Sequence, residues 1–463
     1  MDVYEALIRE LGADRVLRGP EALEPYARDE SGLGVYPPDA AVLCRTRAEV
    51  ELVLRFAAVH QIPVTPRGAG SGMTGGALPI RGGIVLSTEQ MKRIVSIDPE
   101  DRIAVIEPGV INADLQLAVE AQGLFYAPDP ASLEFCSMGG NVAENAGGPR
   151  AFKYGVTRDW TLGLDVTLMG GESLHLGRRT PKGVTGYDLT ALFVGSEGTF
   201  GVTTEIAVRL IGRPEAVGTL IAVMPDAFSA GKAVSTVIRK GYHPRALELM
   251  DRASLDHVRP RAPFALPADA GAIVLLELDG ESDTVPLGLA RCGSVFEEEG
   301  AREVIIARDD AERDRLWQTR RLCSRSLREA HAFKLSEDVV VPPGAIPEML
   351  RRIDGIGARH DLLMAAFGHA GDGNLHINVL SDENHRVPAV AARIHAALGD
   401  IFSAVLDLKG TLSGEHGIGL AKRDFMPLAV DANALVMMRR IKFAFDPDGI
   451  LNPGKLLPEQ ARP

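Results

Sequence analysis

Residues 66–76 read PRGAGSGMTGG, a loop with glycines at 68, 70, 72, 75 and 76 that directly follows the strand-like run 62–65. Glycine allows positive φ angles and close backbone approach, so such a loop can present successive N–H groups to a phosphate. Residues 70–75 also match the dinucleotide pattern G-x-G-x-x-G, but a Rossmann turn has to open a helix. Residues 77–83 instead contain a proline and two glycines and lead into a strand-like run, which argues against an NAD site. Taken alone, the segment is also compatible with a hairpin loop that binds no ligand.

Two further glycine-rich segments lie in the same half of the chain. Residues 137–148 read SMGGNVAENAGG and residues 195–201 read GSEGTFG. Small residues let the backbone reach a large planar molecule, while Asn141, Asn145 and Glu197 offer side-chain hydrogen bonds to its polar edges. The three segments together predict a dinucleotide that carries a bulky ring system.

Length and composition indicate a folded chain with two domains. The chain has 463 residues, of which 46% are apolar and 24% are charged, and this length exceeds what one hydrophobic core usually spans. A period-two strand pattern over 202–210 is interrupted at Gly212-Arg213-Pro214, so we place the domain boundary there. This predicts domains at 1–213 and 214–463, both of mixed α and β structure. The net charge of −12 argues against nucleic acid as the main partner.

The cysteines and the N-terminus point to a cytoplasmic protein. Four cysteines, Cys44, Cys136, Cys292 and Cys323, are far apart and lack the spacing of metal-binding or iron–sulfur motifs. Residues 1–18 show helical spacing without a basic segment followed by an apolar core, so they do not resemble a signal peptide. No stretch reaches about 18 consecutive apolar residues, so no transmembrane segment is expected and membrane contact would be peripheral, through a partner.

Two histidine-containing motifs in the second half predict a metal site. Residues 367–379 read FGHAGDGNLHINV, in which a D-G turn lets His369 and His376 face each other, and His376 and Asn378 share one strand face. Residues 413–419 read SGEHGIG and add a carboxylate and an imidazole. Two imidazoles and one carboxylate form a common catalytic zinc set, which iron or manganese would also accept. The alternative is that these histidines are only hydrogen-bonded near a core.

One face of a predicted helix over 309–331 can line a pocket. Leu316, Trp317, Arg320 and Ser324 fall within one or two turns of each other on it. An arginine can bind a carboxylate through two nitrogens, although a lone arginine on a helix is more often a solvated surface residue.

These motifs together resemble the FAD-binding domain of the vanillyl-alcohol-oxidase-type flavoproteins. The resemblance rests on 66–76, on Pro128-Asp129-Pro130-Ala131-Ser132, on 137–148, on Lys153-Tyr154-Gly155 and on 195–201. It is strongest toward the branch that contains glycolate oxidase, D-lactate dehydrogenase and D-2-hydroxyglutarate dehydrogenase, and covers about 26–455. It implies an α+β fold with an N-terminal PCMH-type FAD-binding domain, core about 36–213, and a C-terminal FAD-linked oxidase substrate domain.

The resemblance implies that FAD is held non-covalently, because Ser71 lies where covalent members have a histidine and no histidine occurs between His60 and His175. The residues it assigns to FAD binding are Arg67, Gly68, Ala69, Gly70, Ser71, Gly72, Pro128, Asp129, Ser132, Gly139, Gly140, Asn141, Asn145, Gly147, Tyr154, Glu197, Gly198, Gly201, Val202 and Asn452.

The resemblance also assigns roles in the second half of the chain. It implies metal ligands at His369, His376 and Glu415, with His416 as the base. The substrate contacts it implies are Asn378, Arg320, Lys334 and Ser324, where Ser324 stands in the place of a threonine.

The implied activity is oxidation of a small 2-hydroxy acid, of the D-lactate or glycolate type, to the 2-oxo acid. Electrons would pass to a separate acceptor, either an electron-transferring flavoprotein, a cytochrome, a quinone or an iron–sulfur protein. Three alternatives stay open: a D-2-hydroxyglutarate dehydrogenase, a non-redox flavin-dependent ether-lipid synthase, and an electron-transfer protein with an inactive site.

Overall fold

A computed structural model describes residues 4–459, so the first three residues of the predicted N-terminal helical stretch lie outside it. The strands are β1 Val16–Leu17, β2 Ala40–Leu43, β3 Val64–Arg67, β4 Ile84–Ser87, β5 Ile94–Asp98, β6 Ile103–Ile106, β7 Leu124–Phe125, β8 Thr161–Thr167, β9 Ser173–Gly177, β10 Val202–Arg209, β11 Ile211–Gly212, β12 Ala216–Met224, β13 Ala246–Asp251, β14 Ala272–Gly280, β15 Glu303–Ile306, β16 Phe333–Val340, β17 Leu363–Gly368 and β18 Asn374–Ser381. The α-helices are α1 Glu5–Leu11, α2 Pro20–Leu23, α3 Arg47–His60, α4 Asn112–Glu120, α5 Met138–Glu144, α6 Ala151–Tyr154, α7 Thr157–Trp160, α8 Leu189–Phe193, α9 Ala227–Arg239, α10 Arg252–Val258, α11 Thr284–Glu298, α12 Asp310–Ala330, α13 Ile346–His360, α14 Pro388–Asp407, α15 Met426–Ala429 and α16 Ala432–Phe445.

The chain folds into two compact units. Within the described residues, unit 1 contains 4–147, 155–213 and 415–459, and unit 2 contains 148–154 and 214–414. The units differ from the predicted domains, 1–213 and 214–463, in two segments. Residues 415–459 belong to unit 1, because Val64 donates its N–H to Ile450 and Asn452 donates its N–H to Val64. Residues 148–154 belong to unit 2, where Tyr154 and Lys153 both bind Asp279.

Unit 1 is built on two larger sheets and a two-stranded pair. The first has the order β1-β2-β4-β3, with β2, β4 and β3 parallel, and the second is the antiparallel β5-β6-β10-β8-β9. Helix α3 connects β2 to β3 and begins at Arg47 because the Thr46 side chain accepts the Glu49 N–H. Its apolar face is buried in the same core as β2 and β4. In the sequence, Val50, Val53, Leu54 and Ala57 recur at helical spacing and predict a helix over 47–60, and the structure confirms it.

The glycine-rich loop connects β3 to β4 without a helix. Residues 68–83 are all described, and none of them is helical. A dinucleotide-binding Rossmann turn opens a helix at this point, so the exclusion of that motif is confirmed. The segment at 137–144 differs, because Ser137 caps α5 by accepting the Gly140 N–H.

Unit 2 contains a seven-stranded antiparallel sheet with the order β15-β12-β14-β13-β17-β18-β16. Helices α10 and α12 pack on one face, where Leu255 and Leu327 share a core with Met250 and Phe367. Helices α9, α11 and α13 lie on the other face. Strands β17 and β18 pair antiparallel with Phe367 opposite His376, so the predicted reversal between the two histidines is confirmed.

Helix α14 is long and apolar enough to cross a membrane by length and composition, with a mean hydropathy of 1.5. It is the one such helix among residues 4–459, and it is partly buried within the protein. Core helices of soluble proteins reach the same length and hydropathy, so α14 by itself is a weak indication of a membrane span.

Candidate functional site

The glycine-rich loop of unit 1 is open at Gly72. A side chain at Gly68 would overlap the Ser137 hydroxyl, and Gly70 and Gly75 have φ angles of +72° and +81° that favour glycine. The φ angle of Gly72 is outside the positive range that favours glycine. The nearest atom to an added Cβ is a Glu144 oxygen 4.0 Å away. Neither backbone conformation nor the neighbouring protein therefore requires glycine at this position. The open surface fits a ligand that approaches the backbone closely.

Glu144 lies beside this opening and was missed by the sequence-based prediction. Its Oε2 atom is buried and has no hydrogen-bond partner among the described residues. Burial raises the pKa of Glu144 well above its ordinary value, and the charges of Glu197 and Asp29 raise it further. An uncharged carboxyl group can donate as well as accept a hydrogen bond, so Glu144 fits the polar edge of a cofactor. Its position in the segment 137–148, between Ala143 and Asn145, was the available signal.

Glu197 holds the loop that contains the Glu415-His416 pair. Its two carboxylate oxygens accept the N–H groups of Ile418 and Gly419 at 2.7 Å each. Burial raises the pKa of Glu197, and these two hydrogen bonds counteract that effect. Its side chain therefore organises the protein itself, and a direct bond to the cofactor stays a prediction.

Several other predicted FAD-binding side chains also bond to the protein. Arg67 donates to the carbonyls of Arg28 and Pro25, and the Asn145 side chain accepts the Arg158 N–H. Asn452 donates to the carbonyls of Gly76 and Glu197 at 3.0 and 2.7 Å. These bonds fix the glycine-rich segments relative to each other within unit 1.

The remaining predicted FAD-binding residues also lie in unit 1, with one exception. Those in unit 1 are Ala69, Ser71, Pro128, Asp129, Ser132, Gly139, Gly140, Asn141, Gly147, Gly198, Gly201 and Val202. Tyr154 belongs to unit 2, where its hydroxyl donates to Asp279 at 2.8 Å.

The two predicted metal ligands of unit 2 lie together at one end of β17 and β18. The rings of His369 and His376 are 5.2 Å apart between centroids and nearly perpendicular, and both side chains are buried. His369 Nδ1 lies 2.6 Å from the Glu248 carboxylate, so Nδ1 carries the proton and Nε2 carries the lone pair. A carboxylate on the second ring nitrogen is the usual support of a metal-binding histidine, so these residues fit a metal ion.

Glu248, on β13, also binds Arg320, and the sequence-based prediction missed it. Its second oxygen accepts from Arg320 Nε at 2.7 Å, and the guanidinium carbon lies 4.6 Å from the centre of the Phe367 ring. Burial raises the pKa of Glu248, but His369 and Arg320, which donate to its two oxygens, outweigh burial and lower this pKa to about 2. The signal that could have revealed Glu248 is an acidic residue between Leu247 and Leu249, in a run that is otherwise apolar.

Lys334 and Ser324 also lie together in unit 2. Lys334 Nζ donates to the Ser324 hydroxyl at 3.1 Å, which joins β16 to α12. Burial, with a smaller effect from Arg328, lowers the pKa of Lys334 to about 8. A half-buried ammonium group of this kind gains from an anionic partner.

Asn378 is fully buried on β18. Its amide nitrogen donates to the carbonyls of Ala365 and His376, at 3.1 and 3.0 Å. Its Oδ1 atom is buried and has no hydrogen-bond partner within the described part of the chain. The predicted substrate contact would therefore be made by Oδ1, since the amide nitrogen is bound to the backbone.

Asp338 holds the segment that precedes Glu415 and His416 in the chain. Its Oδ2 atom accepts the Ser413 hydroxyl at 2.9 Å and the Gly414 N–H at 2.8 Å. Its other oxygen lies 3.9 Å from His376 Nδ1. Glu415 and His416 begin the return of the chain to unit 1, where the Thr74 hydroxyl donates to the His416 carbonyl.

Two family models match the sequence. An "FAD binding domain" matches residues 38–177, and "FAD linked oxidases, C-terminal domain" matches residues 213–456, more than half of the chain. The chain belongs to the FAD-linked oxidases. The predicted family and the two-domain α+β fold class are thereby confirmed, and this FAD-linked oxidase carries an FAD-binding domain followed by the C-terminal domain of the family.

The FAD-linked oxidase has curated relatives over nearly its whole length. It is 37% identical to glycolate oxidase subunit GlcD of Bacillus subtilis, over 100% of this chain and 98% of that protein. It is 35% identical to D-lactate dehydrogenase of Anaerostipes hadrus, over 97% and 96%, and 31% identical to D-2-hydroxyglutarate dehydrogenase of Stutzerimonas stutzeri, over 96% of each. Among solved structures, p-cresol methylhydroxylase superposes with a TM-score of 0.79 at 17% identity, over 98% of this chain and 96% of that one, which shows the shared fold.

Proposed function

We propose that this FAD-linked oxidase is a dehydrogenase of a small 2-hydroxy acid, of the D-lactate or glycolate type, and produces the 2-oxo acid. The observation that carries the proposal is Glu248, which binds Arg320 with one oxygen and His369 with the other. A 2-hydroxy acid has a carboxylate next to a hydroxyl group. Glu248 holds Arg320, whose guanidinium suits the substrate carboxylate, close to His369. The His369 imidazole suits a metal ion that would bind the hydroxyl oxygen of the substrate.

In this proposal, Arg320 and Lys334 bind the substrate carboxylate. Arg320 is held through Nε, so its two terminal Nη groups can bind both oxygens of a carboxylate. The Ser324 hydroxyl orients Lys334, and the buried Oδ1 is the atom through which Asn378 would contact the substrate.

His416 would take the proton of the substrate hydroxyl. A divalent ion, with Zn²⁺ preferred over Fe²⁺ or Mn²⁺, would be held by His369, His376 and Glu415 and would lower the pKa of that hydroxyl. Bound FAD supplies the acceptor for the hydride of the substrate carbon, and we propose that it is held non-covalently.

The electron acceptor in this proposal is a separate molecule. All four cysteines of the chain are buried and form no disulfide bond. Their spacing in the sequence is not that of cysteines that ligate an iron–sulfur cluster. A relative is named as a subunit of glycolate oxidase, which supports a partner protein, and a quinone is the other acceptor class that suits a reduced flavin. We also propose a cytoplasmic location, with membrane contact only through such a partner.

The test is anaerobic bleaching of the flavin by a panel of D- and L-isomers of lactate and 2-hydroxyglutarate, together with glycolate. Rapid bleaching by D-lactate or glycolate is the expected result. Preferential bleaching by D-2-hydroxyglutarate would reassign the substrate to that of another relative. No bleaching by any acid, in protein that contains FAD and metal, would contradict the proposal and favour a non-redox or inactive protein.

A further inference from the structure

Two histidines of unit 2 that have no role in the proposed reaction lie against each other. His257 lies on α10, and His331 directly follows α12. Their rings are 5.0 Å apart between centroids, and their Nε2 atoms are 3.0 Å apart. His331 is mostly buried, with 13% of its side chain exposed.

The other ring nitrogen of each histidine, Nδ1, already donates a hydrogen bond. His257 Nδ1 lies 2.7 Å from the Ala253 carbonyl, which can only accept, so this nitrogen carries the proton. His331 Nδ1 lies 3.1 and 3.3 Å from the two oxygens of Asp382, which as a carboxylate also only accepts. In two neutral rings the Nε2 atoms would therefore direct lone pairs at each other across 3.0 Å. That arrangement is repulsive unless a cation lies between them.

We propose that His257 and His331 bind one divalent transition-metal ion through their Nε2 atoms, with water completing its coordination. Imidazole nitrogen suits zinc, copper and nickel. Ligating histidines usually donate their second ring N–H to a carboxylate or a backbone carbonyl, and here Asp382 and Ala253 supply one of each. Asp382 is itself fixed, because it accepts the Ala332 N–H at 3.2 Å.

The ion would join three elements that are separate in sequence. His257 belongs to α10, His331 follows the last turn of α12, and Asp382 directly follows β18. The site acts as a local cross-link on the face of the sheet that carries these two helices. It is independent of the proposed oxidation, because none of its residues takes part in that reaction.

Zinc binding by the full-length holoenzyme tests the proposal. Zn²⁺ bound at fixed free concentrations is measured by equilibrium dialysis and elemental analysis for the wild type, His257→Gln and His331→Gln. The matched control is His385→Gln, which removes a nearby exposed histidine that stacks on Phe333. We expect each pair variant to bind one equivalent less than the wild type, and the control to bind as much. Zinc should also raise the Tm of the wild type more than that of the pair variants.

Folding and flavin reduction are measured on the same samples. We expect folding and flavin reduction to be unchanged in His257→Gln and His331→Gln. The zinc measurement therefore remains valid even if the protein does not oxidise hydroxy acids. Equal zinc stoichiometry in wild type and both variants would overturn the proposal and leave a shared proton as the cation. If either glutamine variant fails to fold, Cu²⁺ added to His376→Ala protein, which lacks the other candidate metal site, gives the answer by electron paramagnetic resonance. Nitrogen hyperfine coupling from this pair supports the proposal, and its absence contradicts it.

Discussion

At the scale of single residues, Glu248 joins the histidine and the arginine on which the proposed function depends. It accepts from His369 Nδ1 at 2.6 Å and from Arg320 Nε at 2.7 Å, and its side chain is fully buried. A glutamine at this position has one accepting oxygen, so one of the two donors would face an amide NH₂ group. Removing a residue that supports a metal ligand typically costs about 10- to 100-fold in metal affinity or activity.

We therefore expect Glu248→Gln to bind zinc about 10- to 100-fold more weakly while its FAD content stays normal. Zinc affinity and the flavin absorbance of the same preparation are the measurements. The matched control is Glu277→Gln, since Glu277 is a buried carboxylate of the same sheet that binds Trp317 and Thr219 and no histidine. An equal loss of zinc affinity in both variants would contradict the role of Glu248.

Gly72 gives a second prediction at this scale. Because no atom lies closer than 4.0 Å to an added Cβ, Gly72→Leu is expected to fold normally but to be purified without colour. Gly212→Leu is the control, since that glycine also has open space around it and lies on β11 of the same unit. Gly140 does not suit this test, because a Cβ there would lie 3.2 Å from the Ser137 hydroxyl that caps α5. Full flavin content in the Gly72 variant would show that this loop is not the cofactor cradle.

In the proposed reaction, Lys334 is expected to make substrate binding dependent on pH. Burial lowers the pKa of Lys334 to about 8, so its ammonium is charged below that pH and becomes neutral above it. A neutral amine no longer attracts a carboxylate, so kcat/KM for the hydroxy acid should fall as the pH rises through about 8. Arginine stays charged, so Lys334→Arg should lose this alkaline decrease, whereas Lys240→Met on an exposed helix end should keep it. An unchanged alkaline decrease in Lys334→Met would exclude Lys334 as its origin.

At the scale of elements, the turn between β17 and β18 requires glycine at position 373. Gly373 has a φ of +85°, and a Cβ there would overlap the Val341 carbonyl. We expect Gly373→Ala to lower the free energy of unfolding by roughly 2 kcal/mol or more, from the unfavourable φ and the displaced backbone. Gly399→Ala is the opposite case, because Gly399 lies inside α14 with open space around it, and should stabilise by roughly 0.5–1 kcal/mol. The urea midpoints of unfolding of the two variants are the measurement. Equal changes of the midpoint in Gly373→Ala and Gly399→Ala would contradict the role assigned to Gly373 in the turn.

Elements with local signals were predictable from sequence. Helix α3 begins and ends where its pattern predicts, because Thr46 caps it and its apolar residues recur at helical spacing. The helix predicted over 309–331 forms over Asp310–Ala330 for the same reason, with Asp309 as its cap. The strand expected at 62–65 forms two residues later, at Val64–Arg67, where its backbone pairs with β4.

At the scale of the whole molecule, the sequence did not reveal that its last segment returns to unit 1. The backbone pairing of Val64 with Leu451 joins positions far apart in the chain, and neither local sequence shows which partner it has. The same limit applies to Glu248, whose two partners come from α12 and the turn after β17. Motifs gave the residue types of the candidate site, and only the folded chain shows which of them are neighbours.

Stopped-flow reduction of the flavin in chelator-treated, anaerobic enzyme tests most directly whether oxidation of the hydroxy acid requires the metal. With D-lactate or glycolate, the account predicts that metal-free enzyme retains its FAD, does not reduce it, and recovers when Zn²⁺ is restored. His376→Ala should behave like the metal-free enzyme, and His416→Ala should keep its metal but react ~10²-fold more slowly. Flavin reduction at the normal rate in the metal-free enzyme would contradict the account and make His369 and His376 structural residues.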